Sequence, residues 1–265
     1  MTEINRTTPP NKPLAEPRKP KIALMGEFSA GKSTLSNLLL EERTLPERVT
    51  ATRLSPIWIT YGTHPAYRED MDGTTEPVTL EQLESIPVFE TRAIHLEMLS
   101  EILRICDIID MPGISDPNMS PEIWQRVLPE VDAILWCTHA TQAWRQSEAA
   151  VWDTIPDEIR QKSLLVVTRF DKLRTDSDRK RVLRRIKVET KGTFRAIFPI
   201  ALIEALASKN EPEKWQTSGA DAFTNELIDM IFEIANETGF DPGPPPAKVS
   251  VRRVRARNTP AIRSV

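Results

Sequence analysis

Two cysteines and three histidines are all that this 265-residue chain holds of the side chains that build zinc sites and disulfide frameworks, so neither is assembled here. Cys106 and Cys137 lie in apolar surroundings, ICDII and ILWCT, and read as reduced core thiols. No stretch approaches the roughly 18 uninterrupted apolar residues of a membrane-spanning helix. The opening MTEINRTTPP has no apolar core of a leader peptide, and a cytoplasmic location is expected. The apolar share of 40% sits a little below that of ordinary soluble domains. A chain of this length still buries most of its non-polar surface, which excludes disorder throughout.

What is present is organised. Ten of the 22 prolines fall in positions 1–20 and 241–265, where apolar periodicity is absent, so both ends read as extended tails around a folded body at 21–240. Inside the body, the apolar runs KIALMG, AILWCT and SLLVVTRF alternate with the helical segments STLSNLLLEE, SEAAVWDTI and DRKRVLRRI. That alternation predicts an α/β fold with a mixed, mainly parallel sheet and helices on both faces. SPIWITYG, RAIHLEML and ILRICDIID read as further strands, the last two as an antiparallel pair. HPAYREDMDGTTEPVTLEQLE reads as a polar surface insertion ending in a short helix. TNELIDMIFEIANETG places Leu227, Met230, Ile231 and Ile234 on one helical face, with Gly239 as its C-cap.

Three motifs carry chemistry. Gly26-Glu-Phe-Ser-Ala-Gly31-Lys32-Ser33 is a complete G-x-x-x-x-G-K-S between a strand and a helix. Its glycines turn successive N–H groups toward phosphate oxygens, and the helix adds its positive end. Lys32 is expected to reach the β and γ phosphates and Ser33 to ligate Mg²⁺. Gly26, Phe28, Ser29, Ala30, Gly31 and Thr34 complete the expected nucleotide contacts. In the second motif, Asp110-Met-Pro-Gly113 ends a hydrophobic run. Asp110 there is expected to hold Mg²⁺ through water and Gly113 to sense the γ-phosphate. Asp107, three residues earlier, falls on the other face of an extended strand. The third motif is Thr168-Arg169-Phe-Asp171, where a carboxylate can accept the N1 and N2 protons of guanine, which adenine cannot offer, and Arg169 can cover the base plane.

With these residues on the page, the body resembles the dynamin-like branch of large GTPases, in particular its bacterial members. The resemblance rests on GEFSAGKST, LPERVTATRLSPIWITYG, DMPG and TRFD, and runs from Lys21 to about Gly239. It implies a P-loop NTPase fold, a dynamin-type GTPase domain, with GTP and GDP as ligands and Mg²⁺ as cofactor. It makes Thr52 the switch I metal ligand, with Thr50 the alternative. It gives Ser29 the role of binding K⁺ or Na⁺ beside the phosphates, so Ser29, Lys32, Thr52 and Gly113 form the expected catalytic set. It further implies transient homodimerisation across the nucleotide. The chain departs from the family at Phe28, where a polar water-positioning residue is usual, and at Arg169, where lysine is usual. Ala201 stands in a fifth base-contacting motif that lacks the expected serine. Only about 25 residues follow Phe240, so an isolated GTPase domain without a stalk is expected.

Residues 247–265 carry six cations, Lys248, Arg252, Arg253, Arg255, Arg257 and Arg263, and no acid. This basic tail suits an acidic protein or an anionic membrane surface, consistent with a peripheral place at the inner membrane face, or else a plain solubilising role. No specific nucleic acid is expected, because no groove-reading motif or aromatic stacking set accompanies the charge. The six tryptophans read mostly as core, with Trp144 open to an interface role or a place capping the core, and His139 is not read as catalytic. GTP hydrolysis is the first functional expectation. A GTP-gated adaptor with negligible turnover, and an ATP-using P-loop protein, stand as alternatives.

Overall fold

The structure, a computed structural model, describes residues 16–40, 55–79, 81–115, 120–208 and 211–244. Among the described residues, nine strands form one sheet: β1 (Lys21–Gly26), β2 (Ile57–Tyr61), β3 (Tyr67–Asp70), β4 (Thr75–Pro77), β5 (Thr91–Met98), β6 (Asp107–Asp110), β7 (Ala133–His139), β8 (Leu164–Thr168) and β9 (Ala196–Pro199). Their order is β4-β3-β5-β2-β6-β1-β7-β8-β9. The strands β6, β1, β7, β8 and β9 run parallel. All of β8 is buried, and so is β1 beyond Lys21, as strands covered on both faces must be.

Period-two alternation sends neighbouring side chains to opposite cores. Ile22, Leu24, Leu135 and Val166 face one, covered by α1 (Lys32–Leu40) and the long C-terminal helix. Ala23, Met25, Trp136 and Val167 face the other. That second face is covered by α2 (Glu122–Gln125), α3 (Gln146–Trp152), α4 (Asp157–Arg160) and α5 (Asp176–Glu189), through Trp124, Trp152, Ile159 and Ile186. Two short helices, α6 (Leu202–Ala207) and α7 (Pro212–Thr217), lead into α8 (Ala220–Thr238). Leu227, Met230, Ile231 and Ile234 are buried on α8, and Gly239 caps it with φ 70°. Both thiols are buried and free, and burial pushes Cys137 up to about 12 and Cys106 higher still, as core thiols require.

Three expectations are corrected. The strands RAIHLEML and ILRICDIID are not partners: β2 lies between them, parallel to β5 and antiparallel to β6. The apolar start of the second run, Glu101–Arg104, is a 3-10 turn whose Ile102 and Leu103 are buried, so β6 begins only at Asp107. Within the polar insertion, β3 and β4 form a hairpin that extends the sheet beyond β5, and its end is a 3-10 turn at Leu83–Ser85. Of the two roles open to Trp144, interface or core, the core one holds: it is 5% exposed and set edge-on to Trp152 and Phe194.

Before β1, Arg18 makes a two-pronged bond to Asp132 at 2.7 Å on each nitrogen, and Lys19 pairs with Asp107 at 2.6 Å. The last residues of the segment expected as a tail therefore lie against the body. Asp107 also accepts from Trp58 Nε1, which gives it a structural place away from the phosphate loop. The tail at 247–265 and the switch I threonines Thr50 and Thr52 lie outside the described residues.

Candidate functional site

The loop from Gly26 to Gly31 leaves β1 in conformations that few residues accept. Gly26 has φ 140° and Gly31 φ 95°, and a Cβ on Gly26 would stand 2.2 Å from the Cys137 carbonyl oxygen. Ser29 also adopts a positive φ, 59°. These positive φ values turn the loop sharply ahead of α1, which opens with Lys32 and Ser33. The Lys32 ammonium donates to the carbonyls of Gly26 and Glu27 at 3.1 and 2.9 Å, closing the loop over itself. Burial lowers the Lys32 pKa, and the charges of Asp110 and Glu27 work against that shift.

Asp110 ends β6 beside β1, with Leu24 as its register partner. Burial pushes its carboxyl up to about 6, and Lys32 is the cation that opposes the shift. A carboxyl desolvated there is costly unless a cation meets it. With the Ser33 hydroxyl at the start of α1, this is a hard oxygen donor set, the chemistry Mg²⁺ selects. Among the described residues, no cluster of three His, Cys, Asp or Glu side chains holds a metal unaided, and Mg²⁺ bound chiefly by nucleotide phosphates and water needs none.

Gly113 brings the segment after β6 against the phosphate loop. A Cβ there would stand 3.0 Å from the Phe28 nitrogen and Cα, a contact so tight that the phosphate loop would have to shift by a few tenths of an ångström. Phe28 donates its N–H to Ser115 Oγ at 3.0 Å, and Ile114 donates to the Gly26 carbonyl at 3.2 Å. The Phe28 ring is 69% exposed and offers no polar group to the cleft.

At the end of β8, Thr168 donates its hydroxyl to the Ala30 carbonyl at 2.7 Å, fixing the phosphate loop from behind. Arg169 takes a left-handed turn, φ 51°, and its guanidinium reaches the Ser29 carbonyl at 3.2 Å. Asp171 follows in a 3-10 turn, with the Lys172 ammonium 3.3 Å from it. Ala201 gives its N–H to the Ser218 carbonyl at 2.9 Å, while the neighbouring Leu202 methyl lies 3.4 Å from where a Gly31 Cβ would stand. Thr34 sits half-buried on α1.

Several residues at the site escaped the motif reading. Glu27, Ser115, His139, Gln142 and Arg145 line a cavity of about 530 Å³ together with Phe28 and Ser29. His139 accepts the Thr141 N–H through Nδ1 at 3.3 Å, and burial beside Arg169 and Arg145 lowers its pKa. The available signal was Glu27 itself, since an acid in an anion-binding loop requires a partner.

The phosphate loop, Asp110 and the Thr168–Asp171 segment thus meet at the carboxyl edge of parallel strands, where open α/β sheets bind their ligands. This edge defines a P-loop GTPase domain. The profile of the Dynamin family matches residues 22–170, more than half of the chain, and the chain belongs to that family. It is similar to Dynamin-like protein 2 of Campylobacter jejuni subsp. jejuni, 23% identical over 158 residues that make up 57% of this chain and 26% of that protein. In fold it is similar to two solved structures of an oligomerised bacterial dynamin pair, described as a mechanism for the long-range sensing and tethering of membranes. One aligns with TM-score 0.57 and 18% identity, over 83% of this chain and 36% of that one. The other aligns with TM-score 0.54 and 21% identity, over 81% of this chain and 34% of that one. The chain therefore spans only about a quarter to a third of these relatives' length. No helix among the described residues is long and apolar enough to cross a membrane.

Proposed function

We propose that this chain binds GTP with Mg²⁺ and hydrolyses it to GDP and phosphate, and that pairing of two GTPase domains stimulates the reaction. The observation that carries the reading is the Lys32 ammonium resting on its own loop's carbonyls at 3.1 and 2.9 Å, beside the Asp110 carboxyl. Those carbonyls are a weak resting place for a buried cation, and phosphate oxygens offer a stronger one. Ser33 and Asp110 would hold Mg²⁺, with Thr52 as the proposed switch I ligand, and the metal supplies charge neutralisation between the β and γ phosphates. Backbone N–H groups at the end of the loop and the start of α1 would orient the phosphates. Asp171 accepts the guanine N1 and N2 protons, and Arg169 flanks the base. K⁺ or Na⁺ at Ser29 would add positive charge at the developing negative oxygen.

A second reading, a GTP-gated adaptor with negligible turnover, is favoured by Phe28, whose exposed ring places no water-orienting group on the loop. The cytoplasm, with peripheral contact to an anionic membrane or acidic protein through the basic tail, is the proposed setting. The deciding experiment measures GTP hydrolysis per molecule across about a hundredfold range of protein concentration, in K⁺ and in Na⁺, with ATP and Lys32→Ala as controls. Catalysis by pairing gives a GTP-selective rate that climbs with concentration. A flat rate near background with GTP still bound gives the adaptor.

A further inference from the structure

Glu27 places a carboxylate inside a loop whose task is to hold anions. The residue is 8% exposed and both oxygens are engaged, Oε2 by the Arg145 guanidinium at 2.8 Å and Oε1 by the Ser147 hydroxyl. Its carbonyl closes the loop, accepting the Ala30 N–H at 3.2 Å and the Lys32 ammonium at 2.9 Å. The side chain's charge acts on Lys32, so it lies within electrostatic reach of whatever Lys32 holds.

Arg145 is well placed to answer that charge. It precedes α3, and its N–H donates to Glu148 Oε2 at 2.9 Å. Glu148 is buried and accepts from Trp136 Nε1 and the Thr138 hydroxyl, both at 3.0 Å. The backbone of Arg145 is thereby anchored to β7, while its guanidinium reaches back across 118 residues of chain to Glu27.

We propose that Arg145 is a positioning residue for the nucleotide: it neutralises Glu27 and holds that carboxylate away from the bound phosphates, so that the loop presents only donors to them. The proposal rests on the reading of this edge as a GTP site. An unpaired carboxylate here repels the nucleotide in proportion to phosphate charge, so its effect is larger on GTP than on GDP. A purely structural role has no such dependence.

The test titrates fluorescent GTP and GDP, with Mg²⁺, into the full-length chain and its Arg145→Gln, Arg145→Lys, Glu27→Gln and Arg145→Gln/Glu27→Gln variants, at low and high salt. Arg145→Gln is expected to weaken GTP binding about tenfold at low salt, to weaken GDP less, and to lose much of the gap at high salt. Arg145→Lys keeps most of the affinity. Glu27→Gln is expected to tighten GTP, and adding it to Arg145→Gln to restore affinity to within about threefold of the native chain. Unchanged GTP affinity in Arg145→Gln, equal losses for GTP and GDP, or a double variant as weak as Arg145→Gln each overturns the proposal. If Arg145→Gln does not fold, the sign of the Glu27→Gln effect decides, and weaker GTP binding there is the overturning result. A native chain that binds no GTP overturns the site reading itself, which separates that failure from failure of the clamp.

Discussion

Thr168 gives its hydroxyl proton to the Ala30 carbonyl at 2.7 Å, across 138 residues of chain. The bond joins the strand that leads to Asp171, the proposed base-recognition residue, to the loop proposed to hold the phosphates, so the two ends of the proposed nucleotide site share one support. The same hydroxyl lies 3.2 Å from the Thr138 carbonyl, and the Thr168 methyl lies 3.2 Å from where a Gly31 Cβ would stand.

Thr168→Val keeps the branched shape and removes the donor, leaving the Ala30 carbonyl buried without its partner. A lost bond of this kind costs about 1–3 kcal/mol. For a domain of this size that corresponds to a fall of roughly 2–10 °C in Tm. GTP affinity is expected to fall severalfold, and Thr168→Ser, which retains the hydroxyl, to recover most of both losses. Thermal denaturation and nucleotide titration check this together, and equal behaviour of the valine and serine variants would show that the bond is not the support.

The His95 ring stacks between Trp58 and Tyr67, centroids 5.6 and 4.6 Å away, and its Nε2 lies 2.8 Å from Glu69. Burial lowers its pKa below the ordinary 6.5, outweighing the pull of Glu69. The folded chain therefore binds fewer protons here than the unfolded chain does. The stability this site contributes is complete above about pH 6.5 and is lost as the pH falls below it. Tm is expected to drop on acidification from pH 7 to pH 5.5, and His95→Phe, which keeps the stack, to flatten that slope. Melting curves over this range decide; parallel slopes refute the assignment. Glu69 is a separate contribution: bonds from His95 and Arg92 outweigh the burial that raises it, so its loss falls below pH 4.5.

Asp132 accepts both Arg18 nitrogens at 2.7 Å and the Lys21 N–H at 2.9 Å, so one carboxylate secures the entry to the central strand. Arg18 is 42% exposed on its side chain, which moderates the ion pair, while Asp132 is 12% exposed and its bond to Lys21 is shielded. Asp132→Ala is expected to cost about 1–2 kcal/mol, read as a Tm lower by roughly 2–6 °C with GTP affinity nearly unchanged. A large loss of affinity without a change in Tm would contradict this scaffold role.

Local features were legible in the sequence and long-range ones were not. The phosphate loop announces itself because its eight residues are contiguous and each has a task, and β1, β7 and β8 announce themselves because burial on both faces leaves unbroken apolar runs. The β3–β4 hairpin carried no such signal: β4 is fully exposed and β3 half-buried, so alternation is missing. The pairing of β2 with both β5 and β6 follows from tertiary packing, and no local pattern separates it from a β5–β6 hairpin. The Arg145–Glu27 and Arg18–Asp132 pairs lie 118 and 114 residues apart. The unexplained charge was visible at each; its partner was not.

Base selectivity gives the sharpest test of the site. Asp171 follows the left-handed turn at Arg169 and stands in a 3-10 turn at the end of β8, on the edge that carries the phosphate loop. Its carboxylate can accept two protons from guanine, and its charge strengthens both bonds. Asp171→Asn replaces one acceptor with a donor that faces another donor. Two charge-assisted bonds at about 1.5–3 kcal/mol each set the scale, and the mismatch adds a repulsion. GTP binding is therefore expected to weaken by a factor of about a hundred or more, while the weak binding of ATP stays where it was. Because the proposed reading gives Asp171 contact with the base alone, the loss should appear equally for GTP and GDP. That equality separates it from the Arg145 effect, which scales with phosphate charge. Titration of both nucleotides into the variant reads the distinction directly; an unchanged GTP affinity would move base recognition away from β8 and return the ATP-using alternative.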